Sequence, residues 1–157
     1  MQNHWASFGI GVVTGMRSMT GGAALVWAAA FRRTRVGWVP ASRGARALAT
    51  AAALGEMVGD KMPFAPDRRS PPSFLLRLAL GAAGGVALAG QDASPLGAAL
   101  SGMAGAVAGT LLGRAARGAT TRSRADWARA LTEDVMAASL ATALVRSAGH
   151  RGRARQD

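Results

Sequence analysis

The sequence contains no cysteine, few aromatic residues and few acidic residues. Its 157 residues include 8 Asp and Glu against 19 Lys and Arg, and aromatic side chains make up only 5%. The absence of thiols excludes disulfide bonds, thiolate catalysis and cysteine-ligated zinc or iron–sulfur sites. The length indicates a single domain. Function must therefore come from a small number of charged groups in an otherwise apolar chain.

Half of the residues are hydrophobic, and alanine is the most common of them. Alanine buries little area, so a soluble core built mainly from it would gain little hydrophobic stabilisation. Small side chains do suit helices that pack closely in lipid. A soluble alanine-rich helical protein is the alternative, but the long apolar runs lack the polar face that such helices show. The composition favours an all-α bundle of membrane helices.

Five segments are predicted to be membrane helices, some of them re-entrant. Residues 93–113 carry no charge and are long enough to cross a hydrocarbon core of about 30 Å. Two further apolar runs are each interrupted by a single arginine. The predicted segments are 5–31, 45–62, 73–91, 94–113 and 127–146. They form one membrane domain, residues 1–148, followed by a basic disordered tail, residues 149–157.

Two of these segments, 45–62 and 127–146, carry acidic side chains. At about 100° per residue, Glu56 and Asp60 share one face of the first with small residues, and large apolar residues occupy the other face. The second carries Glu133 beside Asp134. Acidic faces of membrane helices usually point into a polar interior. We therefore expect both segments to present their carboxylates to the inside of the bundle.

The basic residues do not indicate one orientation. If all five segments cross, nine Lys and Arg fall on each side of the membrane, so the positive-inside rule gives no bias. One explanation is that the chain inserts both ways and pairs antiparallel. The other is that the two acidic helices dip in and return, with the N-terminus outside. The first run is too long and lacks the basic start of a cleavable signal peptide.

Short matches between the two halves suggest an internal repeat. Thr14-Gly15-Met16 resembles Ser101-Gly102-Met103, and ALGEMV at 53–58 resembles ALTEDV at 130–135. With one helix between the halves, the repeats would be inverted, as in many secondary transporters. Chance similarity between short, alanine-rich strings is the competing explanation.

Small residues recur every four positions in three predicted helices. They are Gly11 and Gly15, Gly81 and Gly85, and Gly97, Ser101, Gly105, Gly109 and Gly113. Such seams, known as glycine zippers, let helix backbones approach within one chain or between chains. They predict a compact bundle and a homo-oligomer, with a dimer favoured. The dimer would be antiparallel if the chain inserts in both orientations.

Arg17 lies near the middle of the first apolar run. An arginine at that depth costs about 3 kcal/mol unless it is paired or hydrated. The glycines around it can break the helix and expose a helix N-terminus to an anion. The predicted substrate or ion site comprises Arg17, Ser18, Glu56, Asp60, Lys61, Glu133 and Asp134. The alternative is an internal ion pair that only orients the helices.

The remaining polar residues point to lipid contacts rather than chemistry. Loop arginines are expected to anchor at lipid headgroups. The basic residues near the proline-rich connection are further candidates for phospholipid contact, namely Lys61, Arg68, Arg69 and Arg77. No basic helix interleaved with aromatics indicates nucleic-acid binding. His4 and His150 are isolated, so no metal is expected. No cofactor and no enzymatic activity are predicted, because no nucleophile-elbow, phosphate-loop or paired-histidine motif occurs.

Three stretches resemble the polar signature of a bacterial membrane family, "domain of unknown function 4126". They are GMRSM at 15–19, GEMVGDKMP at 55–63 and Glu133-Asp134. The resemblance covers most of the chain. It implies an integral protein of the bacterial cytoplasmic membrane and supplies no activity.

Three functions fit these features, and the least favoured is a lipid-headgroup enzyme, for which no catalytic set is recognisable. The first is a small transporter or channel for a solute or ion, with Arg17 and the carboxylates at its centre. The second is a non-catalytic oligomeric membrane scaffold or lipid-binding protein. Neutralising Glu56 or Asp60 should abolish flux in the first case and mainly lower stability in the second.

Overall fold

The computed structural model describes residues 4–59, 71–117 and 124–153. Within these ranges the chain forms α-helices and no strand, so the all-α prediction is confirmed. The helices are α1 (Trp5–Met16), α2 (Ser18–Ala30), α3 (Arg43–Gly59), α4 (Pro71–Leu88), α5 (Pro95–Arg117) and α6 (Arg124–Arg153).

The first predicted segment, 5–31, is two helices rather than one. Arg17 has extended backbone angles, φ −144° and ψ 105°, and separates α1 from α2. The second helix folds back on the first, since Gly21 packs against Thr14. We call α1, Arg17 and α2 the hairpin and Arg17 its tip. Hydropathy does not reveal the turn, because both arms of the hairpin are apolar.

Helices α1, α4 and α5 form a closely packed layer. A Cβ on Gly105 would meet the Phe8 carbonyl, and one on Gly109 would meet the Val12 carbonyl. The contact residues increase in number together along both helices, so α1 and α5 run parallel. A Cβ on Gly85 would likewise meet the Ala98 carbonyl. Backbones approach this closely only where a side chain is missing.

The other predicted packing positions belong to the same layer. Gly11 and Gly15 face Gly102 and Ala106 respectively, and Gly81 faces Gly102. At the start of α5, Gly97 lies beside the His4 ring. Ser101 Oγ donates to the His4 carbonyl at 3.3 Å. Gly113 is buried. These contacts all lie within one chain.

Gly102 is a packing position that the four-residue pattern did not single out. A Cβ there would meet the Gly81 carbonyl and approach the Gly85 Cα. Ala98, Gly102 and Ala106 form a second stripe of small residues at four-residue spacing, next to the predicted one. Both stripes are needed because α5 packs on α1 and α4 at once.

Helix α3 packs against the α2 arm of the hairpin, and α6 packs against both arms. Buried apolar side chains from α1, α2, α4 and α6 form the main core, which includes Ile10, Leu25 and Leu144. On α3, Ala53 is buried, while Leu48, Leu54 and Val58 are exposed. Leu54 and Val58 of the predicted outer face are therefore exposed as expected, whereas Met57, predicted on the same face, is half-buried.

The chain leaves α2 through a Schellman-type cap. Arg33 N–H donates to the Ala28 carbonyl and Arg32 N–H to the Ala29 carbonyl, while Arg32 takes a left-handed φ of 54°. Arg35 N–H then donates to the Ala87 carbonyl near the end of α4. We call the end of the bundle opposite the tip the mouth end. Helix α1 begins there and α2 ends there.

Helix lengths revise the predicted membrane segments. Only Pro95–Ala115, in α5, is long and apolar enough to cross a bilayer among the described residues, while α1, α2 and Pro72–Leu88 are shorter apolar helices. The structure thus leaves five full crossings unconfirmed. At the other end of the chain, α6 continues to Arg153, so residues 149–153 of the predicted disordered tail are helical. Extending an existing helix needs no new nucleus.

Candidate functional site

The hairpin tip places an arginine at the centre of the protein. Arg17 is 1% exposed and has the largest fully buried side chain among the described residues. Its Nη2 forms an ion pair with Oδ1 of Asp134 in α6, and Asp134 is also buried. A buried guanidinium is tolerated only when a counter-charge and hydrogen bonds replace water. Asp134 supplies that charge.

Glu56 of α3 binds the start of α2. Its two carboxylate oxygens accept the backbone N–H groups of Ser18, at 3.0 Å, and Met19, at 3.1 Å. These N–H groups have no carbonyl partner within α2, because they belong to its first turn. The helix dipole adds partial positive charge at the same place. Glu56 therefore fills an anion site made by the broken helix.

Arg77 of α4 binds the other end of the break. Its Nη1 donates to the Gly15 carbonyl at 2.8 Å. The Thr110 hydroxyl, which donates to the Ala106 carbonyl at 2.8 Å, lies 3.3 Å from the same Gly15 oxygen. This carbonyl lies in the last turn of α1, where the helix dipole is negative. Each end of the broken helix thus meets a side chain of the opposite charge.

The structure brings together four residues of the predicted site. They are Arg17 between α1 and α2, Ser18 of α2, Glu56 of α3 and Asp134 of α6, which meet at the tip. Glu133 precedes Asp134 in α6, but its side chain lies outside the described part of the structure. Asp60 and Lys61 also lie outside the described residues.

Arg77 was expected at lipid headgroups, and that expectation is wrong. Its side chain is buried and donates to the end of α1. A sequence signal was present, since Arg77 interrupts the apolar run of α4 much as Arg17 interrupts the first run. Its proximity to a proline-rich connection favoured the surface interpretation. The missing information was that α1 ends beside α4.

An apolar groove of about 590 Å³ lies between α2, α3 and α6. Thr20, one turn beyond Arg17, lies at its inner end, and Arg33 and Arg146 lie at its mouth end. The walls between them are mainly alanine with larger apolar side chains, including Trp27 and Met57. We call this cavity the α2–α3–α6 groove.

Several polar side chains around this groove donate hydrogen bonds within the protein. Trp27 Nε1 donates to Thr50 Oγ1 at 3.1 Å, and Thr142 Oγ1 donates to the Ala138 carbonyl at 2.8 Å. At the mouth end, Arg46 lies over the Trp27 ring and Arg33 over the Phe31 ring. The groove thus has an apolar wall and a rim of arginines and aromatic rings.

No three His, Cys, Asp or Glu side chains in residues 4–59, 71–117 and 124–153 are grouped so as to hold a metal ion. Comparisons of the chain with models of protein families, with curated proteins and with solved structures found no match. The resemblance to "domain of unknown function 4126" therefore stays a prediction. Any functional assignment must come from the geometry of the tip and the groove.

Proposed function

We propose that the protein is a small membrane transporter or channel that moves a small ion or solute past the hairpin tip. The observation that carries this proposal is the broken helix, whose two ends meet inside the protein between charged side chains. Discontinuous helices of this kind form ion and substrate sites in membrane transporters, because exposed helix ends carry partial charge.

The distribution of apolar side chains supports a membrane location. Every helix exposes large apolar residues to its surroundings, among them Phe8, Trp27, Leu48, Phe74 and Val135. Among the described residues, by contrast, the largest fully buried side chain is an arginine. In water this arrangement would leave extended apolar patches uncovered. In lipid it places the apolar groups against acyl chains and the charges against one another.

The hairpin suggests a different topology from five crossings. α1 has 12 residues and α2 has 13, so each arm is about 18–20 Å long, too short for a hydrocarbon core of about 30 Å. We propose that the hairpin enters from the mouth end and returns to it, and that α3, α4, α5 and α6 cross. The tip then lies at membrane depth.

Glu56 is the residue of the tip best suited to exchange with a transported ion. Arg17 is held by Asp134, whereas the Glu56 carboxylate binds only the α2 backbone among the described residues. When a transported cation binds the Glu56 carboxylate, the two N–H groups become available to an anion that accompanies the cation. Helix N-termini bind anions through such N–H groups.

A flux assay with Glu56→Gln tests this proposal. Glutamine keeps the size of the side chain and removes its charge. Purified protein in liposomes is assayed for proton, chloride and alkali-cation flux with entrapped dyes. We expect the wild type to conduct at least one of these ions and E56Q to fall to the level of protein-free liposomes. Circular dichroism and gel filtration in detergent check that E56Q is folded.

Asp92→Asn is the matched control, because Asp92 is an exposed carboxylate in the turn between α4 and α5, away from the tip. D92N should conduct like the wild type. Unchanged flux in E56Q, or no flux of any tested ion in the wild type, would contradict the transport proposal. A stability loss in E56Q with no flux in either protein would favour the oligomeric scaffold instead.

A further inference from the structure

The α2–α3–α6 groove has the dimensions of a site for one lipid chain. From Thr20 to Phe31 it follows about three turns of α2, which is about 16 Å at about 1.5 Å per residue. One leaflet of a hydrocarbon core of about 30 Å is about 15 Å thick. Its volume of about 590 Å³ lies within the range of ligand pockets.

The mouth end of the groove carries positive charge suited to an anionic group. Arg33 Nη1 donates to the Val145 carbonyl, which holds this guanidinium beside Arg146, the next residue of α6. One of the five N–H donors of Arg33 is used in that bond. Arg146 is exposed. Tryptophan, such as the neighbouring Trp27, is typical of the membrane interface, where lipid headgroups lie.

We propose that the groove binds an anionic phospholipid, with one acyl chain between α2, α3 and α6 and the headgroup phosphate at Arg33 and Arg146. The apolar wall accepts the chain, and Thr20 marks the point at which that wall ends. Arginine binds phosphate through several N–H donors at once. The site is separate from the tip and rests on the proposed membrane location alone, not on transport.

Fluorescence of Trp27 reports on this groove directly. In a variant with Trp5, Trp38 and Trp127 changed to Phe, Trp27 is the only tryptophan. The protein is placed in phosphatidylcholine vesicles that contain a minor amount of lipid brominated on its acyl chains. We expect brominated phosphatidylglycerol to quench Trp27 more strongly than the same amount of brominated phosphatidylcholine.

Substitutions along α6 separate groove binding from general lipid contact. Ala138 lines the groove and Ala143 does not, and both are exposed. A138F should fill the groove and remove the preference for phosphatidylglycerol, while A143F should keep it. R146Q should weaken phosphatidylglycerol binding about fivefold, the effect of one arginine near an anionic lipid surface.

A second single-tryptophan variant, which retains only Trp5, checks insertion, since Trp5 is exposed on α1 away from the groove. Equal quenching of Trp27 by both lipids, or equal behaviour of A138F and A143F, would overturn the lipid site. Quenching of Trp5 without any quenching of Trp27 would also overturn it, because the groove would then be covered by another copy of the protein. If Trp5 also escapes quenching, the membrane location fails together with both proposals.

Discussion

At the scale of single residues, the free energy of unfolding of this protein depends on a few buried charges. Arg17 and Asp134 form an ion pair with almost no access to solvent. Such a pair contributes little relative to apolar side chains of equal size, but it becomes very costly when one partner is removed. The charges at the tip therefore constrain one another more strongly than any surface ion pair would.

A double-mutant cycle measures this constraint. Asp134→Asn leaves the Arg17 guanidinium without its counter-charge, and we expect a loss of about 3–5 kcal/mol in the free energy of unfolding. Adding Arg17→Gln should recover part of that loss, because the uncompensated charge is gone. Unfolding is followed by circular dichroism in detergent. Additive effects of the two substitutions would show that the pair is not coupled.

At the scale of secondary-structure elements, small residues decide which helices pack together. Glycines on α5 place its backbone against the carbonyls of α1 on one side and α4 on the other. The same residues were interpreted from sequence as a seam within the chain or between chains. Their contacts are within the chain, so the predicted homo-oligomer would have to use another surface and stays a prediction.

Two glycine substitutions test this packing. Gly102→Ala puts a methyl group against the Gly81 carbonyl, and backbone cannot move aside as a flexible side chain can. We expect G102A to lower the free energy of unfolding by about 1–3 kcal/mol, as overpacking does. Gly55→Ala is the matched control in α3, where nothing lies within 4 Å of the added Cβ.

The control should have the opposite sign. Alanine is favoured over glycine by about 0.5–1 kcal/mol inside a helix, so G55A should be stabilised slightly. Both variants are compared by thermal unfolding in the same detergent. If G102A were as stable as the wild type, the α5 backbone at Gly102 would have to lie further from the Gly81 carbonyl of α4.

At the scale of the whole molecule, the hairpin decides whether the N- and C-termini lie on the same side of the membrane or on opposite sides. α1 begins at the mouth end, and α6 brings Val145 to the same end, where its carbonyl accepts from Arg33. With a re-entrant hairpin and four crossings, both termini lie on one side of the membrane. Five crossings would place them on opposite sides. Nine Lys and Arg still fall on each side of the membrane, because the N-terminal residues that change sides contain neither.

Cysteine labelling distinguishes these topologies, and the natural absence of cysteine makes single-Cys variants direct to interpret. Asn3→Cys and Gln156→Cys should react with an impermeant maleimide from the same side of sealed vesicles. Ala65→Cys, in the connection between α3 and α4, should react from the other side. Labelling of positions 3 and 156 from opposite sides would contradict the re-entrant hairpin. Partial labelling of every site from both sides would indicate dual insertion.

The sequence by itself determined the all-α fold class and most of the charged residues that meet at the tip. Helical propensity, apolar runs and the lack of cysteine are local or compositional properties, so they needed no structure. They also pointed to Arg17, Ser18, Glu56 and Asp134, because charged residues in apolar segments stand out against their neighbours. The same contrast was available for Arg77, but nothing local showed that it would be buried.

Tertiary structure alone decided how these elements meet. An apolar run of 27 residues is equally compatible with one long helix and with two short ones, since hydropathy carries no information about chain direction. After the turn at Arg17, the new helix end at Ser18 is bound by Glu56, 38 residues further along the chain. The burial of Arg77 depends on α1 ending beside α4. These partners are brought together by close backbone packing across the whole bundle, which no local pattern encodes.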